Sequence, residues 1–425
     1  MIGCGMTLSE RKEWALRQGN PLWLWPEIDP HDWQRAMAQI ESMCTAVLAS
    51  NTAVLDGQTD AVGLAAYTSG MGPLLGWWLE HGLVSPSTPD LADVCLRQLH
   101  ANGARMERLL GHARAITSSL ASADIEATLL KGAHTAISCF PAASCRPMAD
   151  IDILVPPSNA AAAAAVLRAN GYREAAHAPL ESTWVHADGA GEPNTVVMLE
   201  ADDPWTVDLH VSLDIPGPPG APCARLSLAE HLTAPSLDFP GASRLRQPVL
   251  LLHLAAHAGS GFHSLTLLRL VEIVLVARRD RAHGSLCWSE FIELGEATGA
   301  LAFAFPALDL ARRLSPKDIP HSLVDRCAKE APARIRHVVK QLRPATAHRI
   351  NRPTMREHFA WTQGAGGWLR RLAADLVPEP GSLSRSAAIH TSRVRGLLRR
   401  GITRPQPSGD HTLASPPARS VQPAE

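Results

Sequence analysis

The chain has 425 residues, 46% of them apolar and 19% charged, with a net charge of −1. That is enough apolar sequence for two or three domains with a sizeable core, and it argues against a protein that binds nucleic acid through its overall charge. The total hides an asymmetry: residues 331–425 hold 16 Lys and Arg against 5 Asp and Glu, net +11, which leaves −12 for the rest. The eight cysteines (4, 44, 95, 139, 145, 223, 287 and 327) make no C-x-x-C pair, so neither a zinc ribbon nor a disulfide scaffold is suggested. Reduced, buried thiols of a cytoplasmic protein fit that pattern.

The start, MIGCGMTLSERKEW, has no apolar stretch preceded by basic residues and does not read as a signal peptide. Up to about residue 120, apolar residues recur at helical spacing over Trp33–Leu48, Leu75–Leu83 and Leu91–Leu120. Pro86-Ser87-Thr88-Pro89-Asp90 breaks the chain and caps the longest of these segments. An N-terminal helical region, 1–120, is therefore expected.

Residues 121–215 read as an α/β core. Ala127–Leu130 is a short buried strand that breaks at Lys131-Gly132, ahead of a helix-compatible stretch. A glycine at such a turn lets backbone amides approach a phosphate, although it also serves as a plain turn. Lys131 is one of only five lysines against 35 arginines, so lysine is not background here.

The run RPMADIDILV follows. Strand side chains alternate, so Asp150 and Asp152 share one face, about 7 Å apart along the strand. Two anions side by side near an apolar core repel each other and resist desolvation. A divalent cation with hard oxygen ligands, Mg²⁺ or Mn²⁺, would offset that cost; a solvated strand end is the plain alternative. Ser158–Asn170 is a helix closed by Gly171, residues 189–194 a turn-rich loop, and Asn194–Glu200 a further strand.

Thr206–Leu213 alternates strictly, with Val207, Leu209, Val211 and Leu213 on one face and Asp208, His210 and Ser212 on the other. Asp208 would lie beside Asp150 and Asp152 if the two strands are neighbours; otherwise this is an ordinary half-exposed edge strand. Glycine turn, D-x-D strand, helix, then a strand with one central carboxylate is the order that two-metal phosphoryl or nucleotidyl transfer requires. In it Asp150 and Asp152 bridge two metals roughly 3.5–4 Å apart, and Asp208 completes the site.

Ile215-Pro-Gly-Pro-Pro-Gly-Ala-Pro222 reads as a linker, and residues 223–350 as a C-terminal helical domain. The apolar runs Val249–Ala258 and Leu265–Ala277 are interrupted by His253, His257, Arg269 and Glu272 and fall short of the roughly 20 residues of a membrane span. His253 and His257 share a helix face, with His263 close behind, but H-E-x-x-H is absent and core histidines are the simpler account. Residues 380–425 are a basic tail rich in Ser, Pro, Arg and Ala, expected to be disordered. A short amphipathic helix around Arg393, Arg395, Arg399 and Arg400 is the competing reading.

Taken together, LLKG, RPMADIDILV, the helix ending in NGY, and VDLH resemble a nucleotidyltransferase family of bacterial biosynthetic gene clusters, within the polymerase-beta-like superfamily. The resemblance spans roughly residues 90–280. It implies an α+β fold in which a small mixed β-sheet core is flanked by N-terminal and C-terminal helical domains. It implies Asp150, Asp152 and Asp208 as the catalytic, metal-binding carboxylates, and Gly132 as part of a phosphate-cradling turn. Lys131 and Arg146 match basic positions, and His210 the histidine after the third acid. Two departures stand out: Lys131-Gly132-Ala133 replaces the usual Gly-Gly or Gly-Ser, and Glu272 stands where an aspartate is expected. The implied activity moves NMP from an NTP to a hydroxyl on a small metabolite, peptide or protein. Phosphoryl transfer at the same site and a catalytically silent nucleotide-sensing module are the alternatives. Neither nucleic acid nor membrane is expected as a partner.

Overall fold

The structure, a computed structural model, describes residues 28–186, 203–217, 223–229, 233–262, 265–347 and 359–376. The described residues open with helix α1 (Pro30–Leu48), where Asp29 accepts a hydrogen bond from the His31 amide at 2.7 Å and Pro30 occupies the first turn. Strand β1 (Ala53–Leu55), helices α2 (Thr59–Ser69) and α3 (Gly72–Glu80), strand β2 (Val84–Pro86) and the 34-residue helix α4 (Pro89–Ser122) follow. β1 and β2 form a parallel pair inside a region expected to be wholly helical. Three residues each are too few to show a period-2 signature.

The second zone runs β3 (Ala127–Leu129), α5 (Lys131–Ser138), β4 (Asp150–Leu154), α6 (Ala160–Ala169), β5 (Tyr172–Ala178), β6 (Glu181–His186), β7 (Thr206–His210), β8 (Thr233–Pro235) and β9 (Ala242–Leu245). These strands make one seven-stranded mixed sheet in the order β5-β6-β7-β4-β3-β9-β8. β4 runs parallel to β7 and antiparallel to β3. β8 and β9 lie in a stretch read from sequence as helical, and they extend the sheet on the β3 side.

The remaining elements are helical: α7 (Val249–Ser260), α8 (Leu267–Ala282), α9 (Trp288–Thr298), α10 (Leu301–Leu314), α11 (His321–Glu330), α12 (Ala333–Gln341), α13 (Pro344–Ala347) and α14 (Gly364–Leu376). The fold is thus α+β. α7 and α10 cross closely at Gly259, where a Cβ would stand 2.0 Å from the Phe303 carbonyl oxygen. Only glycine fits there. Among the described residues no helix is long and apolar enough to cross a membrane.

Two apolar cores organise this arrangement. One gathers residues of α1–α3 together with α7–α12, so the two helical regions bury their faces in a common interior. The other lies beneath the sheet, with Ile151, Ile153, Val207 and Leu209 packed against α4, α5 and α6. α4 serves both: Leu91, Cys95 and Leu99 enter the first, and Met106, Leu109 and Ile116 the second. On β4 the odd residues face the sheet core while Leu154 belongs to the helical one. Alternation therefore turns Asp150 and Asp152 toward the side where α7 and α8 lie.

Candidate active site

β4 and β7 pair in parallel with Asp152 opposite Asp208, and Asp150 stands two residues before Asp152 on the same face. A ligand oxygen from each of the three carboxylates lies within 4.8 Å of the other two. Asp152 is buried, Asp150 and Asp208 partly so. Asp208 Oδ1 is buried and has no hydrogen-bond partner. Hard oxygen donors at this spacing, with a buried atom left open, fit a divalent cation.

The electrostatics are those of an incompletely neutralised cluster. Burial, then the charges of Asp150 and Asp152, push Asp208 up to about 7. Asp150 is also raised, by burial and by Asp152, against the opposing pull of Lys131, Arg269 and Arg146. Asp152 goes the other way. Burial would raise it, but Lys131 and His210 hold it well below the usual carboxylate range.

Lys131 makes that difference. Its Nζ donates to Asp152 Oδ1 at 2.8 Å and to His257 Nε2 at 3.3 Å. It opens α5 at φ +27°, a conformation that L side chains adopt rarely and at a cost of roughly 1–3 kcal/mol. The strain and the buried ion pair belong together, because the turn from β3 into α5 delivers the ammonium to the acid cluster. Burial lowers the Lys131 pKa, and Asp152 with Asp150 more than restores it. The same ammonium, with burial and Arg269, drives His257 well below its ordinary value. His257 is thus a neutral acceptor facing the site. His253, one turn earlier, is buried and stacks on it at 5.8 Å between ring centroids. Neither ring nitrogen of His253 has a partner, and burial, Lys131 and His210 push it down to about 3.

His210 Nε2 donates to Asp152 Oδ1 at 3.0 Å, and its Nδ1 lies 3.3 Å from Glu181 Oε2 on β6. Burial pulls His210 down, but Asp152 more than offsets it and the imidazole ends above its ordinary value. Arg146 is committed elsewhere. Its Nε and Nη2 grip Glu272 at 2.8 and 3.0 Å, and Thr135 Oγ1 donates to the same carboxylate. Gly132 lies beneath this pair, where a Cβ would come within 2.7 Å of Arg146 Nη1 and 3.2 Å of Met148. Its missing side chain makes room for the arginine. Glu272 occupies α8 as the partner of Arg146, which gives the departure from aspartate a structural reason.

Sequence reasoning did not single out Arg105. This fully buried α4 side chain donates from Nε to Met148 O at 3.1 Å, from Nη1 to Asp203 O at 2.7 Å and from Nη2 to Pro204 O at 3.1 Å. Those carbonyls belong to the segments leading into β4 and β7, so one guanidinium sets the approach of both acid-bearing strands. Asn102, one turn earlier, donates to Ser144 O at 2.6 Å. The available signal was two polar residues interrupting the apolar stripe Leu99–Met106–Leu109. Glu181 was missed because nothing in the sequence pairs β6 with β7. His263, the strand expected at Asn194–Glu200, the loop 189–194, residues 218–222 of the linker and the tail 380–425 lie outside the described residues.

An α+β fold with a carboxylate cluster able to hold a metal cation is what the geometry defines. The sequence pattern of a family of uncharacterised nucleotidyltransferases matches residues 65–316, a span that begins in α2, ends just past α10 and includes the three acids. The chain belongs to that family and is a nucleotidyltransferase by class. No curated protein and no solved structure matches it.

Proposed function

We propose that the protein moves a nucleoside monophosphate from an NTP to a hydroxyl acceptor, with a divalent cation, Mg²⁺ or Mn²⁺, held by Asp150, Asp152 and Asp208, as in the polymerase-beta-like superfamily. The observation that carries this reading is the convergence of three carboxylates on two parallel strands in register, with Asp208 Oδ1 buried and unpartnered. When bound, such a cation neutralises phosphate charge and acidifies a hydroxyl. The protein's own groups do the rest. Lys131 and His210 fix Asp152 in its ionised form and hold its Oδ1 in place. Asp208, on the third corner of the cluster, is the carboxylate that helps to deprotonate the acceptor hydroxyl. The acceptor oxygen bonds to the α-phosphorus, the bridge between α-phosphorus and β-phosphate breaks, and pyrophosphate departs with the electron pair. Lys131 and the turn at Gly132 form the side toward which pyrophosphate leaves. The acceptor is a small metabolite, a peptide or a protein side chain.

Isothermal titration of ATP, GTP, CTP and UTP, with Mg²⁺ and with EDTA, tests the reading on wild type and Asp150→Asn. At least one NTP is expected to bind wild type only with Mg²⁺ and to lose that binding in the variant. Nucleotide binding that is absent throughout, or indifferent to both EDTA and Asp150→Asn, would overturn it.

A further inference from the structure

Lys131, Arg269 and Arg146 are among the basic side chains that act electrostatically on Asp150. Two are already committed to acids of the protein. Lys131 sits on Asp152 at 2.8 Å, and Arg146 is bound two-pronged to Glu272. Arg269 differs. Among the described residues it makes neither a hydrogen bond nor an ion pair, although it is only half-buried and its charge is felt at Asp150, Lys131 and His257.

Its position explains why it faces the site. Arg269 lies in the first turn of α8, three residues before Glu272 and so on the same side of the helix. Glu272 reaches Thr135 and Arg146, which fixes that side of α8 over the opening turns of α5. One turn toward its N-terminus, the same side meets the Lys131 end of the acid cluster. The Thr266 side chain at the N-cap of α8 makes no capping hydrogen bond among the described residues, and the first-turn amides add their partial positive charge to the same place. A guanidinium left unpaired beside a second cation has no structural partner to satisfy. A planar fork of donors there matches phosphate oxygens.

We propose that Arg269 is the nucleotide-binding residue that receives the triphosphate, gripping its non-bridging oxygens on the Lys131 side of the carboxylate cluster. The inference rests on the nucleotidyltransferase reading above and adds a residue that neither the motifs nor their spacing indicated. It also accounts for the departure at Lys131-Gly132-Ala133. With Ala133 in place of the second glycine or serine of that turn, this chain supplies a phosphate contact from α8.

Arg269→Gln and Arg269→Lys test it, titrated with the NTP that wild type binds in Mg²⁺ and with the corresponding NMP, while free Mn²⁺ is followed separately. The glutamine variant is expected to bind the triphosphate about 10-fold to 100-fold more weakly, the range of a lost charge-assisted contact. NMP affinity should fall much less, Mn²⁺ affinity should stay within about twofold, and lysine should recover part of the loss. The melting temperature should not fall, since no bond in the protein is broken; a purely structural role would lower it and spare the triphosphate selectivity. Unchanged NTP affinity in Arg269→Gln, beside metal-dependent binding by wild type, would overturn the inference alone. Failure of wild type to bind any NTP would remove the underlying reading and this inference with it.

Discussion

Two buried ionic clusters flank the first turns of α5, and they are built on opposite principles. Around Arg146 the charges cancel: one guanidinium meets one carboxylate, and Glu272 accepts from Nε, Nη2 and Thr135. Around Asp152 they do not. Three carboxylates face Lys131 and His210, Asp208 is pushed up to about 7, and its Oδ1 is left with no partner. A fold that satisfies one cluster so fully can satisfy another, so the deficit in the second is informative. The closed pair ties α8 to the strand-bearing core; the open one leaves a place for a cation and its phosphates.

That contrast can be broken from either side. The largest effect is expected at the closed cluster, where Glu272→Ala strands a buried arginine. It should destabilise the protein by about 3–5 kcal/mol, read as a lower midpoint in urea unfolding. Removing an acid from the open cluster should act with the opposite sign. A carboxyl whose folded pKa is raised to about 7 contributes stability that is present below its unfolded value and lost as pH rises through 7. In EDTA at pH 8, Asp208→Asn should therefore be more stable than wild type, on the order of 2–4 kcal/mol, a gain that should vanish near pH 4. Unfolding curves at the two pH values check it. A loss of stability at pH 8 would mean that the acids are already balanced.

Much of the open cluster was legible in the sequence, for a simple reason. Period-2 alternation puts Asp150 with Asp152, and Asp208 with His210, on single faces, and the observed burial of β7 follows that alternation. That β4 and β7 are neighbours could be stated only as a condition, since strand order depends on contacts distant in sequence. The pairing in the closed cluster was not legible, although the resemblance had singled out Arg146 and Glu272 separately. Glu272 meets Arg146 across 126 residues, and no local pattern records such a pairing. β5 gave no signal because six of its seven residues are exposed, so apolar and polar do not alternate along it. β8 and β9 are too short to show a period. The positive φ at Lys131 was invisible as well, since a lysine does not announce a conformation that glycine would normally mark.

The claim that the open cluster is a cation site is tested most directly by Mn²⁺ titration, following the electron paramagnetic resonance signal of the free ion. With wild type at pH 8, the signal should be suppressed until the site fills, and Asp152→Asn should suppress it far less. Near pH 5.5, where Asp208 is protonated, wild-type affinity should fall as well. Equal Mn²⁺ binding by wild type and Asp152→Asn, or none by either, would contradict the account.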